Sequence, residues 1–187
     1  MRYRVVQHGR VMATRERGGE VRRAIEAALQ HAPSSEEIVL DFSDVEIISF
    51  SIADEVVGRI LADRAAGMLG DRVILLAGAN EDVLDPIIRA LQRRGILGAL
   101  LDGDQIRLLN APEHLQVTFD VARRRGEFRA SELAADLGIG LPACNNRLKP
   151  LLAAGLVNRE PGIARSGGRE FVYRIPAGLR ARQVGVA

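Results

Sequence analysis

The first 110 residues alternate between short, continuously apolar runs and longer segments whose apolar residues recur every three or four positions. The runs Glu37–Phe42 and Arg72–Ala77 are rich in branched apolar residues, which predicts two buried central strands. The segments Ile52–Met68 and Asp82–Arg94 each carry one apolar stripe at helical spacing, which predicts two helices. This alternation is typical of an α/β layer in which helices cover a sheet.

The two ends of this region complete the predicted layer. An opening strand is expected near Arg2–Gln7 and a helix near Gly19–Leu29. A terminal hairpin is expected over Ile96–Leu109, with a turn at Asp102-Gly103, because Asp-Gly is a favoured two-residue turn. Residues 110–112 then form a linker.

After the linker the pattern changes to three helical segments and two strands. The helices are expected over Pro112–Arg125, over Arg129–Gly138 and from Pro142 up to Gly155, where the glycines end helical periodicity and the proline suits a first turn. Leu156–Glu160 and Glu170–Ile175 read as strands of a β-hairpin. The sequence therefore predicts an α+β unit behind the α/β layer.

The polar side of the third helix and the tip of the hairpin carry residue types that bind DNA. An asparagine can pair with an adenine edge and an arginine with a guanine edge, while lysine and arginine also contact phosphates. The predicted DNA-binding residues are Asn145, Asn146, Arg147, Lys149, Arg165 and Arg169.

The charge distribution supports an anionic partner for the second part. Residues 1–110 carry 14 basic and 17 acidic side chains, a net charge of −3, whereas residues 111–187 carry 12 and 7, a net charge of +5. A positive field attracts nucleic acid without conferring sequence specificity.

Three stretches of the second part together resemble a winged helix-turn-helix. They are Ser131-Glu-Leu-Ala-Ala-Asp-Leu-Gly138, Asn146-Arg-Leu-Lys-Pro-Leu-Leu-Ala-Ala-Gly-Leu-Val157 and the hairpin rich in glycine and arginine. The resemblance extends to many bacterial transcription regulators and implies double-stranded DNA as a partner. A homodimer is expected, since winged helices commonly read paired half-sites. Winged helices also dock proteins, so that alternative stays open.

The stretch from Val39 to Glu55 reads first as a strand, a loop and a helix start. Ser51 is expected to cap the helix, with Asp54 and Glu55 in its first turn near the positive end of the helix dipole. The same stretch resembles the STAS domain of anti-sigma factor antagonists, and STAS-like relatives with Ser-Phe-Ala-Asp-Glu at this point are closer still. The matching residues are Asp41, Phe42, Ser43 and Val45.

The departures from the STAS pattern fall on the site of its phosphorylation switch. Ser49 stands where the family has Asp, and Phe50 stands where the family has a phosphorylatable serine. Phosphorylation is therefore left only to Ser49 or Ser51. The resemblance implies a protein-binding surface that contacts an ATP-binding kinase-like or sigma-regulatory partner. Its predicted residues are Ser49, Phe50, Ser51 and Asp54.

No set of residues in the sequence predicts an enzyme. His8, His31 and His114 lie far apart without ligand-like spacing, and Cys144 has no evident histidine partner, so no catalytic residue, metal or cofactor is expected. A single cysteine excludes an intrachain disulfide. No apolar stretch has the length of a signal peptide or a membrane span, so a cytoplasmic protein without membrane contact is expected.

The sequence thus predicts a STAS-like α/β domain over residues 1–110, a winged helix-turn-helix over residues 111–176 and a tail over residues 177–187. The expected function is that of a DNA-binding transcriptional regulator whose front domain mediates protein contacts or dimerisation. The alternative is an anti-sigma factor antagonist-like adaptor whose winged helix docks protein. The DNA site, the sign of regulation, the effector and the oligomeric state stay open.

Overall fold

The computed structural model describes residues 1–33, 36–163 and 169–180. Short strands and helices alternate through its first part, as expected for an α/β protein. The elements are β1 (Arg2–Arg4), a 3-10 turn (Val5–His8), β2 (Val11–Met12), α1 (Arg15–Gln30), β3 (Glu37–Asp41), β4 (Ile47–Ile48), α2 (Phe50–Ala53), a π-helical turn (Asp54–Gly58), α3 (Arg59–Ala65), β5 (Val73–Ala77), α4 (Glu81–Arg94), β6 (Gly98–Asp102) and β7 (Gln105–Leu109).

The second part continues directly from β7. Its elements are α5 (Glu113–Arg125), β8 (Glu127–Arg129), α6 (Ala130–Leu137), α7 (Leu141–Ala153), β9 (Asn158–Ile163), β10 (Arg169–Arg174) and α8 (Ala177–Arg180). The three expected helices and the hairpin are present, with the additional strand β8 between the first two helices. The predicted α/β class is confirmed.

The main sheet has five strands in the order β1-β3-β5-β6-β7. Its first four strands run parallel, and β7 returns antiparallel to β6. A second sheet, β8-β10-β9, is antiparallel, and β2 pairs with β4 in a short parallel ribbon. Because parallel strands need crossover connections, the helices between them cover the main sheet.

Both faces of the main sheet are buried, which is why its central strands are continuously apolar. In β3, Ile38 and Leu40 pack under α1, the α2–α3 segment and α4, while Val39 points to the other face. In β5, Leu76 faces these same helices, and Leu75 faces the opposite side. The two faces therefore belong to two separate hydrophobic clusters.

The second part of the chain covers the second face. Phe119 of α5 is fully buried and lies in one cluster with sheet residues such as Leu75 and with Leu148 of α7. The division at residue 110 remains a prediction, but the two parts share this core. Because the two parts share a hydrophobic cluster, they are held together more firmly than two domains joined only by a flexible linker.

Arg64 and Gly155 form a further junction between the two parts. Arg64 on α3 is 7% exposed, and its Nε donates to the carbonyl of Arg72 at 2.5 Å. Gly155 follows α7 with φ of +75°, and a Cβ there would lie 2.5 Å from Nη2 of Arg64. Only glycine suits this position, because it allows both the positive φ and the close approach.

The helix boundaries differ from the expected ones where capping decides them. The first helix begins at Arg15 and not near Gly19, because Thr14 accepts a hydrogen bond from the backbone N–H of Arg17 at 3.3 Å. In the second predicted helix, Ser49 is the cap instead of Ser51, and its Oγ accepts from the N–H of Ile52 at 3.3 Å.

The strands also differ from the predictions. The opening strand ends at Arg4, and the hairpin turn consists of Gly103 and Asp104, since Asp102 still pairs with Gln105. The strand β9 runs on through Pro161 to Ile163, and the strand β8 was not predicted. The strand β8 is short and β9 contains a proline, so neither has the clear alternating pattern from which a strand can be predicted.

The first residues of the predicted tail form a packed helix. Leu179 is fully buried in the second hydrophobic cluster, and Arg180 donates to the backbone carbonyls of Ile175 and Gly126 at 2.7 and 2.9 Å. Residues 177–180 of the predicted tail are therefore helical and packed against the second part of the chain. Residues 181–187 lie outside the described part of the chain.

None of the described helices combines the length and the apolar character that crossing a membrane requires.

Candidate nucleic-acid interface

A tight turn joins α6 to α7 and presents the start of α7 to solvent. Gly138 takes the left-handed conformation at the end of α6, and Pro142 occupies the first turn of α7. The carboxylate of Glu132 accepts from the N–H of Arg129 at 2.8 Å, which satisfies a free donor at the start of α6. The turn and both helix ends therefore follow from local sequence.

The middle of α7 has a polar, exposed side. Asn145, Asn146 and Lys149 are exposed, while Cys144 and Leu148 on the opposite side are buried. The Nζ of Lys149 donates to Oδ1 of Asn146 at 3.2 Å. These three predicted residues lie together on one accessible surface.

Arg147 is turned away from that surface. It is partly buried, and its Nη1 donates to Oγ1 of Thr118 on α5 at 3.4 Å. Thr118 is itself fully buried and donates to the carbonyl of His114 at 2.7 Å. Arg147 thus bridges α7 to α5 in this structure and does not share the surface of its neighbours.

A groove separates the start of α7 from the strand β10. It has a volume of about 200 Å³, and its walls include Leu141 and Asn145 of α7, Ser131 of α6 and Phe171 of β10. Leu141 and Phe171 are exposed for 46% and 45% of their surface. Exposed apolar side chains beside asparagine are suited to thymine methyl groups and sugars at a base edge.

Arg159 of β9 lies on the same side of the hairpin as this groove. Its guanidinium sits 4.2 Å above the centre of the Phe171 ring. This cation–π contact orients the charge while leaving it without a carboxylate partner in the described residues.

Two other arginines near the interface are paired with acidic residues. Arg129 contacts Glu170 at 2.7 Å, and Arg174 contacts both Glu127 and Glu160 at 2.7 Å. Among the described residues, no carboxylate pairs with Lys149 or Arg159. Lys149 and Arg159 therefore offer two cations beside the groove that no described carboxylate neutralises.

The remaining two predicted DNA-binding residues cannot be placed in the site. Arg165 lies outside the described residues, and Arg169 begins β10 with only its backbone described. Within the described residues, β9 and β10 pair from Asn158 with Arg174 to Ile163 with Arg169.

The predicted partner-binding residues surround the start of α2. Ser49, Phe50 and Ser51 are partly exposed, and the Oγ of Ser49 donates to the carbonyl of Ala13 at 2.6 Å. That bond and the helix cap occupy the Ser49 hydroxyl in holding two segments together. A phosphoryl group on Ser49 would remove the donor, so the structure favours a structural role for this serine.

Asp54, the fourth of these residues, is buried. It is 5% exposed, and the Nε of Arg94 donates to its Oδ1 at 2.7 Å. Although burial opposes ionisation, Arg94, Arg93 and Arg15 hold the pKa of Asp54 below its ordinary value. Asp54 is therefore not part of the exposed surface, and its ion pair with Arg94 stabilises the packing beneath that surface.

An exposed apolar pair lies near these residues. Val11 of β2 and Ile47 of β4 are directly paired and are exposed for 61% and 46% of their surface. Phe50 is partly exposed, with the guanidinium of Arg93 5.8 Å from its ring centre. Sequence reasoning missed this ribbon because its strands have two residues each.

Other candidate groups from the sequence have ordinary partners. Cys144 is fully buried on α7, and burial raises the pKa of its thiol, which disfavours the reactive thiolate. Asp41 is bound by Arg2 at 2.8 Å, and the hydrogen bonds from Ser43 and Arg2 lower its pKa against the opposing effect of burial. Within the described residues, no group of three or more His, Cys, Asp or Glu side chains is arranged to hold a metal ion.

Comparisons with known proteins give little support for a family. No protein-family model matches the chain, and no curated protein matches it. Among solved structures, the chain is similar to one described as "Possible transcriptional regulator from Methanosarcina mazei Go1", with 12% sequence identity and a TM-score of 0.35. The match covers 46% of this chain and 79% of the other. A likeness of this extent does not establish a shared fold.

Proposed function

We propose that the protein is a DNA-binding transcriptional regulator without enzymatic activity. The observation that carries this proposal is the surface formed by Asn145, Asn146 and Lys149 beside the groove to Phe171. It combines exposed amide groups, unpaired cations and an apolar edge, which are the components of direct base readout together with phosphate contact.

The helix α7 would act as the recognition helix. It would enter the major groove with its N-terminal half and with Lys149, which follows that half. The other half of α7 is unsuitable, because Pro150, Ala153 and Ala154 line a small cavity against Leu61 and Ile96 of the α/β part. In the helix-turn-helix proteins the N-terminal residues of the second helix contact base edges. We assign phosphate contacts to Lys149, Arg159, Arg165 and Arg169.

Fluorescence anisotropy tests the proposal with the full chain and duplex DNA from upstream of its own coding region. A shuffled duplex serves as the reference, and a salt series separates charge from base readout. Specific regulators typically prefer their site by about a thousandfold or more. Equal binding to both duplexes, or none, would contradict sequence-specific recognition.

Three variants resolve the roles of individual residues. Asn146→Ala should lower affinity for the specific duplex by about tenfold or more while leaving shuffled-duplex binding unchanged. Lys149→Ala should weaken both and reduce the salt slope by about one. Arg89→Ala, on the exposed side of α4 and paired with Asp85 at 2.6 Å, is the matched control and should change neither.

The α/β part is proposed to be STAS-like and to bind a protein partner or mediate a homodimer. The exposed ribbon of Val11 and Ile47 supports this role, since adjacent apolar side chains on a surface favour protein contact. If Val11→Asp with Ile47→Asp converts a dimer to a folded monomer in light scattering, the ribbon is the dimer contact. An unchanged dimer would reject that assignment.

The adaptor alternative has the same support from the ribbon and differs in the role of α7. It predicts a sigma-regulatory or ATP-binding kinase-like protein as the partner, with no DNA preference. Co-purification with the Val11, Ile47 double variant as control separates the alternatives. A partner lost with this variant, in a protein without DNA preference, would favour the adaptor.

A further inference from the structure

A cavity lies where the hairpin of β6 and β7 meets α5. Its volume is about 390 Å³. Polar side chains dominate its walls, among them Asp102, Arg107, Gln116, Asp120, Arg123 and Arg124. It is thus a polar opening between the main sheet and the second part of the chain.

The decisive feature of this cavity is Arg123. The residue is only 7% exposed, and its Nη1 is buried with no hydrogen-bond partner among the residues that the structure describes. A buried guanidinium donor without an acceptor is costly, and native proteins rarely retain one without a reason. Because Nη1 itself has almost no accessible surface, a ligand in the cavity would meet this guanidinium through Nε and Nη2.

The surroundings of Arg123 are held rigidly. The side chain of Gln116 accepts from the N–H of Leu108 at 2.7 Å and donates to the carbonyl of Ile106 at 3.0 Å, so it fixes α5 to the edge strand β7. Its amide also donates to Oδ1 of Asp120 at 3.1 Å. The cavity is therefore preformed and does not depend on loop closure.

The charges of the lining define the class of ligand. Arg107, Arg123 and Arg124 surround the cavity with Asp102 and Asp120, so the positive charges outnumber the negative ones by one. Burial raises the pKa of Asp120, although Gln116, Arg123 and Arg124 oppose this shift. A lining with so small a positive excess suits a small carboxylate better than a polyphosphate.

We propose that this cavity binds a small carboxylate-bearing molecule, with Arg123 as the buried anchor and with Arg107 and Arg124 at its mouth. A guanidinium fork pairs with a carboxylate through two parallel hydrogen bonds. This proposal does not depend on DNA binding.

Titration of the full chain followed by ¹⁵N–¹H correlation spectra tests the site. The probes are lactate and succinate, with inorganic phosphate as the competing anion class and sodium chloride at equal ionic strength as the reference. Saturable shifts of the Gln116 side-chain amide and of the Nε–H signals of Arg123 and Arg124, with Kd below about 1 mM for a carboxylate, are expected. Shifts that follow ionic strength alone, or tighter binding of phosphate than of both carboxylates, would overturn the proposal.

Two variants test the anchor. Arg123→Met keeps the apolar stem and should weaken carboxylate binding by about tenfold or more, because it removes charge-assisted hydrogen bonds. Arg124→Gln changes an exposed residue, so folding should be unaffected, and it should weaken binding several-fold. Arg89→Met is the control on α4 and should leave Kd unchanged. Wild-type affinity in Arg123→Met, or in Arg124→Gln if the first variant fails to fold, would reject the site.

Discussion

The carboxylates of Asp54 and Glu55 and the guanidinium of Arg123 are all buried, but they lie over opposite faces of the main sheet and are paired very differently. Glu55 contacts Arg22 at 3.3 Å, Arg59 at 3.1 Å and Arg15 at 3.8 Å. Asp54 has Arg94. Arg123, in contrast, leaves one nitrogen without a partner in the described part of the chain.

This difference separates a structural charge cluster from a candidate binding site. The acidic pair lies in the π-helical turn between α2 and α3, where Gly18 of α1 lets the two helices approach: a Cβ there would lie 3.0 Å from Cβ of Glu55. Its arginines complete the packing of three helices. A buried charge that has all its ion-pair and hydrogen-bond partners stabilises the fold. A buried charge that lacks a partner is instead a candidate for binding a ligand.

The largest expected effect comes from breaking the complete pair. Arg94→Ala leaves the Asp54 carboxylate buried without its principal partner, and we expect a loss of about 3 kcal/mol in the free energy of unfolding. Urea denaturation measures it. Arg89→Ala, which removes an exposed pair with Asp85, should cost less than about 0.5 kcal/mol. Equal losses in both variants would show that the Asp54 pair is no stronger than a surface contact.

Replacing Arg123 should change the stability in the opposite direction. Arg123→Met removes an unpaired buried donor and retains the apolar stem, so we expect the ligand-free protein to gain about 1 kcal/mol in unfolding free energy. Thermal unfolding should show a rise of about 2–4 °C. A loss of stability in the ligand-free protein would mean that Arg123 already makes the interactions it needs.

The smallest effect is a pH dependence of opposite sign at Asp54 and Asp120. The folded-state pKa of Asp54 is lowered, so its contribution is present above the unfolded value of about 3.9 and is lost as pH falls through the folded value. The pKa of Asp120 is raised, so its neutral form stabilises the fold at low pH, and this is lost as pH rises through the folded value.

Urea midpoints of Asp54→Asn and Asp120→Asn at neutral pH and at about pH 4 distinguish the two carboxylates. At neutral pH, Asp54→Asn should destabilise and Asp120→Asn should stabilise the protein slightly. Both differences from wild type should shrink toward the acidic condition. Differences of the same sign at neutral pH would contradict the contrast between the two sites.

Several elements could be predicted because their signals are local. The central strands over Glu37–Asp41 and Val73–Ala77 needed only apolar runs, and the helix α4 needed only periodicity with Gly95 behind it. Of the site, Asn145, Asn146 and Lys149 could be assigned to one exposed surface. Arg147 could not, because its direction depends on the contact with Thr118, which the sequence places 29 residues away.

The choice of helix cap illustrates the same limit. Ser49 and Ser51 both lie near the expected helix start, and sequence spacing does not distinguish them. The carbonyl of Ala13, brought close by the pairing of β2 with β4, accepts from Ser49 and decides between them. In the second part of the chain, the groove to Phe171 likewise needs β10 to pack beside α7.

The sequence by itself determined the α/β class of the fold, the order of most strands and helices, and the basic character of the second part of the chain. These follow from periodicity, from glycine and proline at element ends, and from composition. Only the tertiary structure decided that the second part covers a face of the main sheet, that Asp54 is saturated while Arg123 is not, and that a cavity opens between β7 and α5. Burial and pairing of charges depend on which distant segments come together, and that information is carried by packing across the whole chain.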